Sequence, residues 1–148
     1  MPDTNTIALD AMGGDQAPEM VILGADAARK RYPNTNFLLF GDVSVCAPLL
    51  RRFSGLSTVT QVVHTEDIVP PDAKPSAMVR HGRKTSMWVA IDSVAAGRAD
   101  AIVSAGNTGA LMAMSKLILK TLPGISRPAI AGIVPTRRSE SVFLDVGF

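Results

Sequence analysis

Short apolar runs alternate with longer segments of helical periodicity along this chain. Six runs predict β-strands, because each is a short apolar or β-branched stretch that ends at a turn or a polar residue. They span residues 6–11, 36–40, 58–64, 101–104, 129–134 and 141–146. Helical patterns are predicted between them, over residues 18–31, 42–53 and 86–96, and from Gly109 to about Thr121. Residues 65–75 are polar and contain three prolines, which predicts a loop.

Two residues inside these helical patterns are unfavourable there. Gly24 costs about 1 kcal/mol relative to Ala in a helix interior, and a close contact between its helix and a strand would explain its presence. Pro48 has no N–H and weakens the helix predicted after Asp42 or Ser44. Gly97 is placed to stop the helix that ends at about residue 96.

Alternation of β and α units with apolar strands is typical of an α/β fold. We expect a mostly parallel sheet with helices on both faces and right-handed crossovers. The 148 residues suffice for one core, and no linker or internal repeat divides them. Residues 1–148 are therefore interpreted as a single α/β domain.

Composition and charge exclude several classes of protein. Apolar residues make up 47% of the chain and charged residues 19%, which indicates a globular protein. A net charge of +2 is too small to indicate nucleic-acid binding. The single cysteine, Cys46, excludes a disulfide framework and fits a reducing compartment. Residues 1–10 lack signal-peptide features and no apolar run reaches membrane-spanning length, so we expect a cytoplasmic protein.

Two glycine-rich turns carry the candidate chemistry. Residues 10–15 follow the first strand, and residues 104–110 follow the fourth strand and lead into a helix. Ligands of open α/β sheets bind outside the carboxyl ends of strands, and a helix N-terminus favours an anion. Neither turn has the glycine pattern of a dinucleotide-binding or P-loop motif. The basic segment 80–87 is either a further anion-binding element or a solvated helix entry.

Other kinds of site are not supported. His64 and His81 have no partner at the spacing of a zinc site. Ser104 has no histidine placed as its base, so a serine nucleophile is weakly supported. Met112, Met114 and Cys46 are expected to be core residues.

Two long segments identify a family resemblance. Residues 7–18 (IALDAMGGDQAP) and 103–112 (VSAGNTGALM) resemble motifs of the bacterial phosphate acyltransferases, the fatty acid/phospholipid synthesis proteins. Shorter segments at 120–125, 127–129 and 144–147 resemble later parts of that family, in the same order. The resemblance covers essentially the whole chain.

The resemblance implies a fold similar to that of isopropylmalate dehydrogenases and phosphotransacetylases. It implies transfer of a fatty acyl group from acyl carrier protein to inorganic phosphate, without a metal or organic cofactor. The acyl-phosphate product would pass to a membrane glycerol-3-phosphate acyltransferase, and the protein would be a homodimer associated peripherally with the membrane. The family is more than twice as long and continues with Ala-Asn after the segment ending at Gly147, where Phe148 stands here. The chain is therefore interpreted as a truncated N-terminal portion.

Site roles follow as hypotheses. Asn107 and Lys84 are the candidate catalytic residues, as a hydrogen-bond donor and a neutralising cation. The candidate substrate- and phosphate-binding residues are Asp10, Gly13, Gly14, Arg83, Ser104, Gly106, Thr108 and Gly109. Asp10 is expected to orient the turns rather than to transfer protons.

Two alternatives stay open at this stage. One is a phosphotransacetylase-like enzyme that uses coenzyme A thioesters, and the other is an inactive fragment. If residues 141–146 form a last parallel strand without a following helix, one of its faces stays uncovered. The chain alone is then expected to be marginally stable and nearly inactive.

Overall fold

Four parallel strands form the central sheet of this protein, for which a computed structural model describes residues 4–145. They are β1 (Asn5–Asp10), β2 (Thr35–Gly41), β3 (Thr60–His64) and β4 (Ala101–Val103). Their order across the sheet is β3–β2–β1–β4. The register pairs Leu9 of β1 with Leu39 of β2 and with Val103 of β4. The predicted α/β fold with a parallel sheet is confirmed.

Helices cover both faces of this sheet. Helix α1 (Glu19–Arg31), helix α2 (Val43–Leu50) and the short α3 (Ser54–Ser57) pack on one face, against β2 and β3. Helix α5 (Ser86–Ala95) packs on the other face, against β1, β2 and β4. Helices α4 (Pro75–His81) and α6 (Thr108–Ile118) pack against each other, and α6 also packs against α5.

The core divides according to the alternation of side chains along β1. Leu9 faces α1 and shares a buried cluster with Ile22 and Phe37. Ala8 faces α5 and packs with Phe40 and Ala90. A third cluster joins α5 to α6 through Met87, Ile91, Ala110 and Met114. Burial of Met114 and Cys46 confirms that both are core residues, whereas Met112 is only half-buried.

The last two strands depart from the sequence prediction. Strands β5 (Ala131–Pro135) and β6 (Glu140–Leu144) form an antiparallel hairpin in a sheet of their own. The expectation that they extend the parallel sheet is wrong, because a parallel pair needs a long crossover and residues 136–139 allow only a tight turn. The stability argument from an uncovered parallel strand therefore loses its premise. Val146, the last residue of the predicted strand 141–146, lies outside the described residues.

The helices differ from the predicted ones most clearly at α4 and α2. Residues Pro75–His81 form α4, which the sequence analysis missed, with Pro75 at the first helical position. Helix α2 begins after Asp42, whose side chain accepts a hydrogen bond of 2.8 Å from the Ser44 N–H. It ends at Leu50, two residues after Pro48, and not near Phe53.

Gly24 does not make the close contact that was predicted for it. A Cβ atom built on Gly24 would meet no heavy atom within 4 Å. The residue instead borders an open groove between α1 and the sheet. Gly97, in contrast, has a φ of +70° directly after α5 and stops that helix as predicted.

Candidate active site

A buried carboxylate joins three segments at the carboxyl edge of the sheet. Asp10, the last residue of β1, is only 2% exposed. Its Oδ1 accepts a hydrogen bond of 2.5 Å from Ser86 Oγ, and its Oδ2 accepts one of 2.7 Å from Ser104 Oγ. Ser104 Oγ in turn accepts a bond of 3.1 Å from the Gly106 N–H. Because both carboxylate oxygens are occupied by hydroxyl groups, Asp10 is placed to hold the turns together.

The two glycine-rich turns are in direct contact. A Cβ atom on Gly13 would overlap Asp10 Oδ2, and it would lie 2.9 Å from Ser104 Oγ and 3.0 Å from the Gly106 nitrogen. A Cβ atom on Gly106 would lie 3.3 Å from the Gly13 Cα. The two turns thus meet at the carboxyl edge of the sheet, as expected for turns that follow parallel strands. Gly13 is required because no side chain fits between the turns.

A cavity of about 440 Å³ opens beside these turns. It is bordered by residues 12, 14 and 15 of the first turn, residues 105–107 of the second and residues 68, 69 and 71 of the proline-rich loop. Gly14 has a φ of +107°, in the left-handed region that favours glycine. A Cβ atom there would lie 3.2 Å from the Ala105 Cβ. Glycine thus keeps the backbone open at the cavity wall.

Two features determine the charge at this cavity, a helix N-terminus and one carboxylate. Helix α6 begins at Thr108, so the cavity lies at its N-terminus, where first-turn N–H groups have no carbonyl partner within the helix. The partial positive charge of a helix N-terminus favours an anion. The lining residues include one carboxylate, Asp15, and no Lys or Arg.

Asn107 has a structural role that the sequence analysis did not foresee. Its Oδ1 accepts a hydrogen bond of 2.8 Å from the Ala110 N–H and so caps α6. Its Nδ2 donates to the carbonyl oxygens of Pro71 at 2.9 Å and Ala73 at 3.1 Å. Both amide hydrogens are therefore engaged in this structure, and donation from this amide to a substrate stays a prediction. The side chain positions the proline-rich loop over the cavity.

Lys84 and Arg83 do not reach the cavity. Lys84 Nζ lies 2.9 Å from Glu66 Oε2 in an exposed ion pair. The hydrogen bond and the charge of Lys84 lower the pKa of Glu66, and Glu66 raises the pKa of Lys84 in the same way. The Arg83 guanidinium lies 5.9 Å from the centre of the Trp88 ring. The proposed neutralisation of phosphate by these two cations is therefore not supported by their positions, because each side chain has another partner outside the cavity.

The remaining predicted site residues are divided between the cavity and its surroundings. Thr108 is exposed in the first turn of α6. Gly109 is explained by packing, since a Cβ atom there would lie 2.9 Å from Pro75 Cγ at the start of α4. Gly106 borders the cavity, and Ser104 lies beneath it in the hydrogen-bond network of Asp10.

Sequence reasoning missed two parts of this site. Ser86 lies in the basic segment 80–87, for which no link to Asp10 was predicted, but Thr85 caps α5 and Ser86 is a buried donor to Asp10. The contribution of residues 68–71 to the cavity was also missed. A weak signal existed for Ser86, because a second hydroxyl residue directly after a cap is not needed for capping.

Neither a metal-binding cluster nor a membrane-spanning helix is found in the described part of the chain. Among residues 4–145, no group of three or more His, Cys, Asp and Glu residues is arranged to hold a metal ion. No helix in the same range combines the length and the apolarity needed to cross a bilayer.

Comparison with known proteins identifies the family. The model of a family described as "Fatty acid synthesis protein" matches residues 5–148. A protein of Azorhizobium caulinodans named phosphate acyltransferase is 59% identical over 142 residues, which are 95% of this chain and 40% of that protein. Relatives with the same name from Rhodospirillum centenum and Rhodospirillum rubrum are 59% and 56% identical over 147 residues. The chain spans only 41% and 42% of their lengths. With matches across nearly all of its residues, the chain belongs to the fatty acid synthesis protein family and is similar to the phosphate acyltransferases.

Proposed function

We propose that this polypeptide forms part of a phosphate acyltransferase that moves a fatty acyl group from acyl carrier protein to inorganic phosphate. The acyl-phosphate product would supply phospholipid synthesis through a membrane glycerol-3-phosphate acyltransferase. The observation that carries the proposal is the 59% identity to proteins of that name over nearly the whole chain. The cytoplasmic location and the homodimer remain expectations from the family resemblance.

The geometry suits a reaction that needs positioning more than acid–base chemistry. Phosphate is an anion at neutral pH and needs no base to act as a nucleophile. One phosphate oxygen attacks the thioester carbonyl carbon, the carbonyl oxygen becomes an oxyanion, and the C–S bond then breaks to release the thiolate of the carrier. Positioning of the two reactants supplies about 7–11 kcal/mol in favourable cases.

The residues at the sheet edge have different roles in binding the phosphate and in positioning the two turns. Gly13, Gly14 and Gly106 let the backbone of both turns approach a small anion closely. The N-terminus of α6 provides partial positive charge and the N–H groups of Thr108 and Gly109 for the phosphate or the oxyanion, since the Ala110 N–H is bonded to Asn107. The distance between the turns is fixed by the buried hydrogen bonds of Ser86 and Ser104 to Asp10. No role of Lys84 or Arg83 is needed in this arrangement.

The test uses an extended chain, in which this chain is continued by the portion of the Rhodospirillum centenum relative that lies outside the match. The extended chain, the original chain and the intact relative are each incubated with palmitoyl-acyl carrier protein and phosphate, and acyl-phosphate is trapped with hydroxylamine. We expect phosphate-dependent hydroxamate from the extended chain and from the relative. A folded extended chain that forms none, beside an active relative, would contradict the proposal.

The same assay with palmitoyl-coenzyme A distinguishes the proposed function from that of an enzyme that uses coenzyme A thioesters. Turnover that prefers the coenzyme A thioester would replace acyl carrier protein as the donor and would favour a phosphotransacetylase-like enzyme. Equal activity of the original and the extended chain would show that residues 1–148 contain the complete site. The expectation of little activity from this chain alone would then be wrong.

A further inference from the structure

An apolar groove of about 740 Å³ lies between α1 and the sheet, on the side away from α2. Its floor is made by residues of β1, β2 and β4, and its wall by one side of α1. The apolar side chains that define it are Ile7, Leu9, Val21, Ala25, Phe37 and Val103. A groove of this size and composition within an otherwise packed α/β layer indicates that a packing element belongs there.

The groove continues to the free edge of the sheet. Strand β4 is the last strand of the order β3–β2–β1–β4, and it pairs with β1 on one side only within residues 4–145. Helix α5 packs on β4 from one face. On the face of α1, Val103 remains 57% exposed. Strands of parallel sheets are normally buried on both faces, so β4 lacks a covering element on the α1 side.

The handedness of the crossovers restricts which strand connection could contain a helix that covers β4 on the α1 side. The connections β1–α1–β2 and β2–α2–β3 both move towards the β3 edge, and their helices lie on the α1 face. The connection from β3 to β4 moves in the opposite direction, and α5 lies on the opposite face. Since crossovers are right-handed in about 98% of cases, a crossover helix that fills the groove belongs to a connection running towards β3. Such a connection starts at a strand beyond β4.

Helix α6 does not meet this requirement. It follows β4 but packs on α5, on the face opposite to the groove. Its position suits a crossover that leads outward, to a further strand beyond β4. The chain after α6 instead forms the β5–β6 hairpin in a separate sheet. The groove thus remains open in the described part of the chain.

We propose that the groove is the seat of an amphipathic α-helix, and that the strand preceding this helix extends the sheet beyond β4. The polypeptide that supplies them corresponds to the part of the relatives outside the match, which is more than half of their length because this chain spans 40–42% of it. Gly24 supports this occupant, since the absence of a side chain there lets a second helix approach α1 closely. Glycine is unfavourable inside a helix, and no contact in the described structure explains its presence at position 24. Packing of the second helix against α1 would offset this cost.

The experiment measures thiol accessibility in the groove. Cys46 is the only cysteine of the chain and is fully buried, so its background labelling is slow. Val103→Cys and Gly24→Cys place a thiol on the floor and on the wall of the groove. Val45→Cys, on the exposed side of α2, is the control. Each variant is labelled with a maleimide in the original chain and in the extended chain.

In the original chain, all three introduced thiols are expected to react rapidly. In the extended chain, the thiols at positions 103 and 24 are expected to react at least about ten-fold more slowly, while position 45 changes less. Unchanged labelling of both groove positions in a folded extended chain would overturn the proposal. If the extended chain does not fold, the same two cysteines are placed at the aligned positions of the intact Rhodospirillum centenum relative, and rapid labelling there would equally overturn it.

Other occupants give distinct results. Protection of positions 103 and 24 in the original chain that increases with protein concentration would assign the groove to a second copy of the chain. Protection by dodecyl phosphonate, without protection by the added polypeptide, would assign it to an acyl chain. Either result would overturn the proposal of a helix, and neither depends on whether acyl-phosphate is formed.

Discussion

Ser104 Oγ donates a hydrogen bond of 2.7 Å to Asp10 Oδ2, and the two residues are 94 positions apart in the chain. This bond joins the ends of β1 and β4 below the glycine-rich turns. Together with the bond from Ser86, it leaves the carboxylate of Asp10 with a hydroxyl donor at each oxygen. The side chains of Asp10, Ser86 and Ser104 do not line the cavity, but the network holds Gly106 of its wall in place.

Removal of this carboxylate is expected to destabilise the protein. Asp10→Ala leaves the buried hydroxyl of Ser86 without its acceptor, at a cost of about 1–3 kcal/mol. Urea unfolding of Asp10→Ala, Ser86→Ala and the double variant gives the coupling energy, which we expect to be above about 0.5 kcal/mol. Ser76→Ala, an exposed serine of α4, is the control and should change little. Additive effects at positions 10 and 86 would contradict the network.

Two Gly→Ala substitutions are expected to act in opposite directions. Gly13→Ala forces a methyl group against Asp10 and Ser104, and such overpacking costs about 1–3 kcal/mol. Gly24→Ala adds a methyl group into open space within a helix, which should stabilise the chain by about 0.5–1 kcal/mol. Thermal and urea unfolding of the two variants measure the difference. A stable Gly13→Ala variant would show that the two turns are not in contact.

Substitutions at Asn107 separate its two structural roles. Asn107→Ala removes the cap of α6, at a cost of about 0.5–2 kcal/mol, and also releases the proline-rich loop. Asn107→Asp keeps an acceptor for the Ala110 N–H but removes both donors to the carbonyls of Pro71 and Ala73. Hydrogen exchange of residues 68–74 should therefore become faster in both variants, whereas α6 should lose protection only in Asn107→Ala. Unchanged exchange of the loop in Asn107→Asp would contradict the positioning role.

Stability at alkaline pH is expected to depend on Cys46. Burial, and next the negative charge of Asp42, raise the pKa of the Cys46 thiol from 9.0 to about 11. The unfolded chain therefore loses this proton first. The stability that the thiol contributes is complete below pH 9 and is lost as the pH rises towards 11. The loss should reach at most about 3 kcal/mol.

The matched comparison for this effect is Cys46→Ala. The free energies of unfolding of both proteins are measured by urea denaturation between pH 7.5 and the alkaline limit of stability. The difference between them should shrink as the pH rises above 9, because only the original chain gains a thiolate on unfolding. A difference that is independent of pH would show that the thiol titrates alike in both states.

The strands of the parallel sheet were predictable because their apolar runs are short and are bounded by clear turn signals. The hairpin was not assigned correctly, because β5 and β6 have the same apolar character as parallel strands. The pairing partner is set by the short connection at residues 136–139. Helix α4 was missed because its sequence has no apolar periodicity strong enough to outweigh the neighbouring prolines. Pro75 at its first position was the available signal.

Within the site, the two turns were predictable and the roles of their neighbours were not. Glycine-rich turns after parallel strands of one sheet are expected at the same edge, and the contact between Gly13 and Gly106 confirms that placement. The partners of Asn107, Lys84 and Arg83 depend on how the loop at residues 65–75 folds back onto the sheet edge. Sequence spacing carries no information on that long-range arrangement. The buried bond of Ser86 to Asp10 was hidden for the same reason.

The most direct test of the account compares two Ser→Ala substitutions in the extended chain. Ser104→Ala breaks the link between Asp10 and the turn at Gly106, whereas Ser76→Ala lies outside the network on α4. The measured quantity is the rate of phosphate-dependent hydroxamate formation from palmitoyl-acyl carrier protein. We expect Ser104→Ala to lower kcat by about 10-fold to 100-fold, while Ser76→Ala remains at the level of the unsubstituted extended chain. Equal rates for the two variants, with both proteins folded, would contradict the claim that the joined turns form the site of acyl transfer.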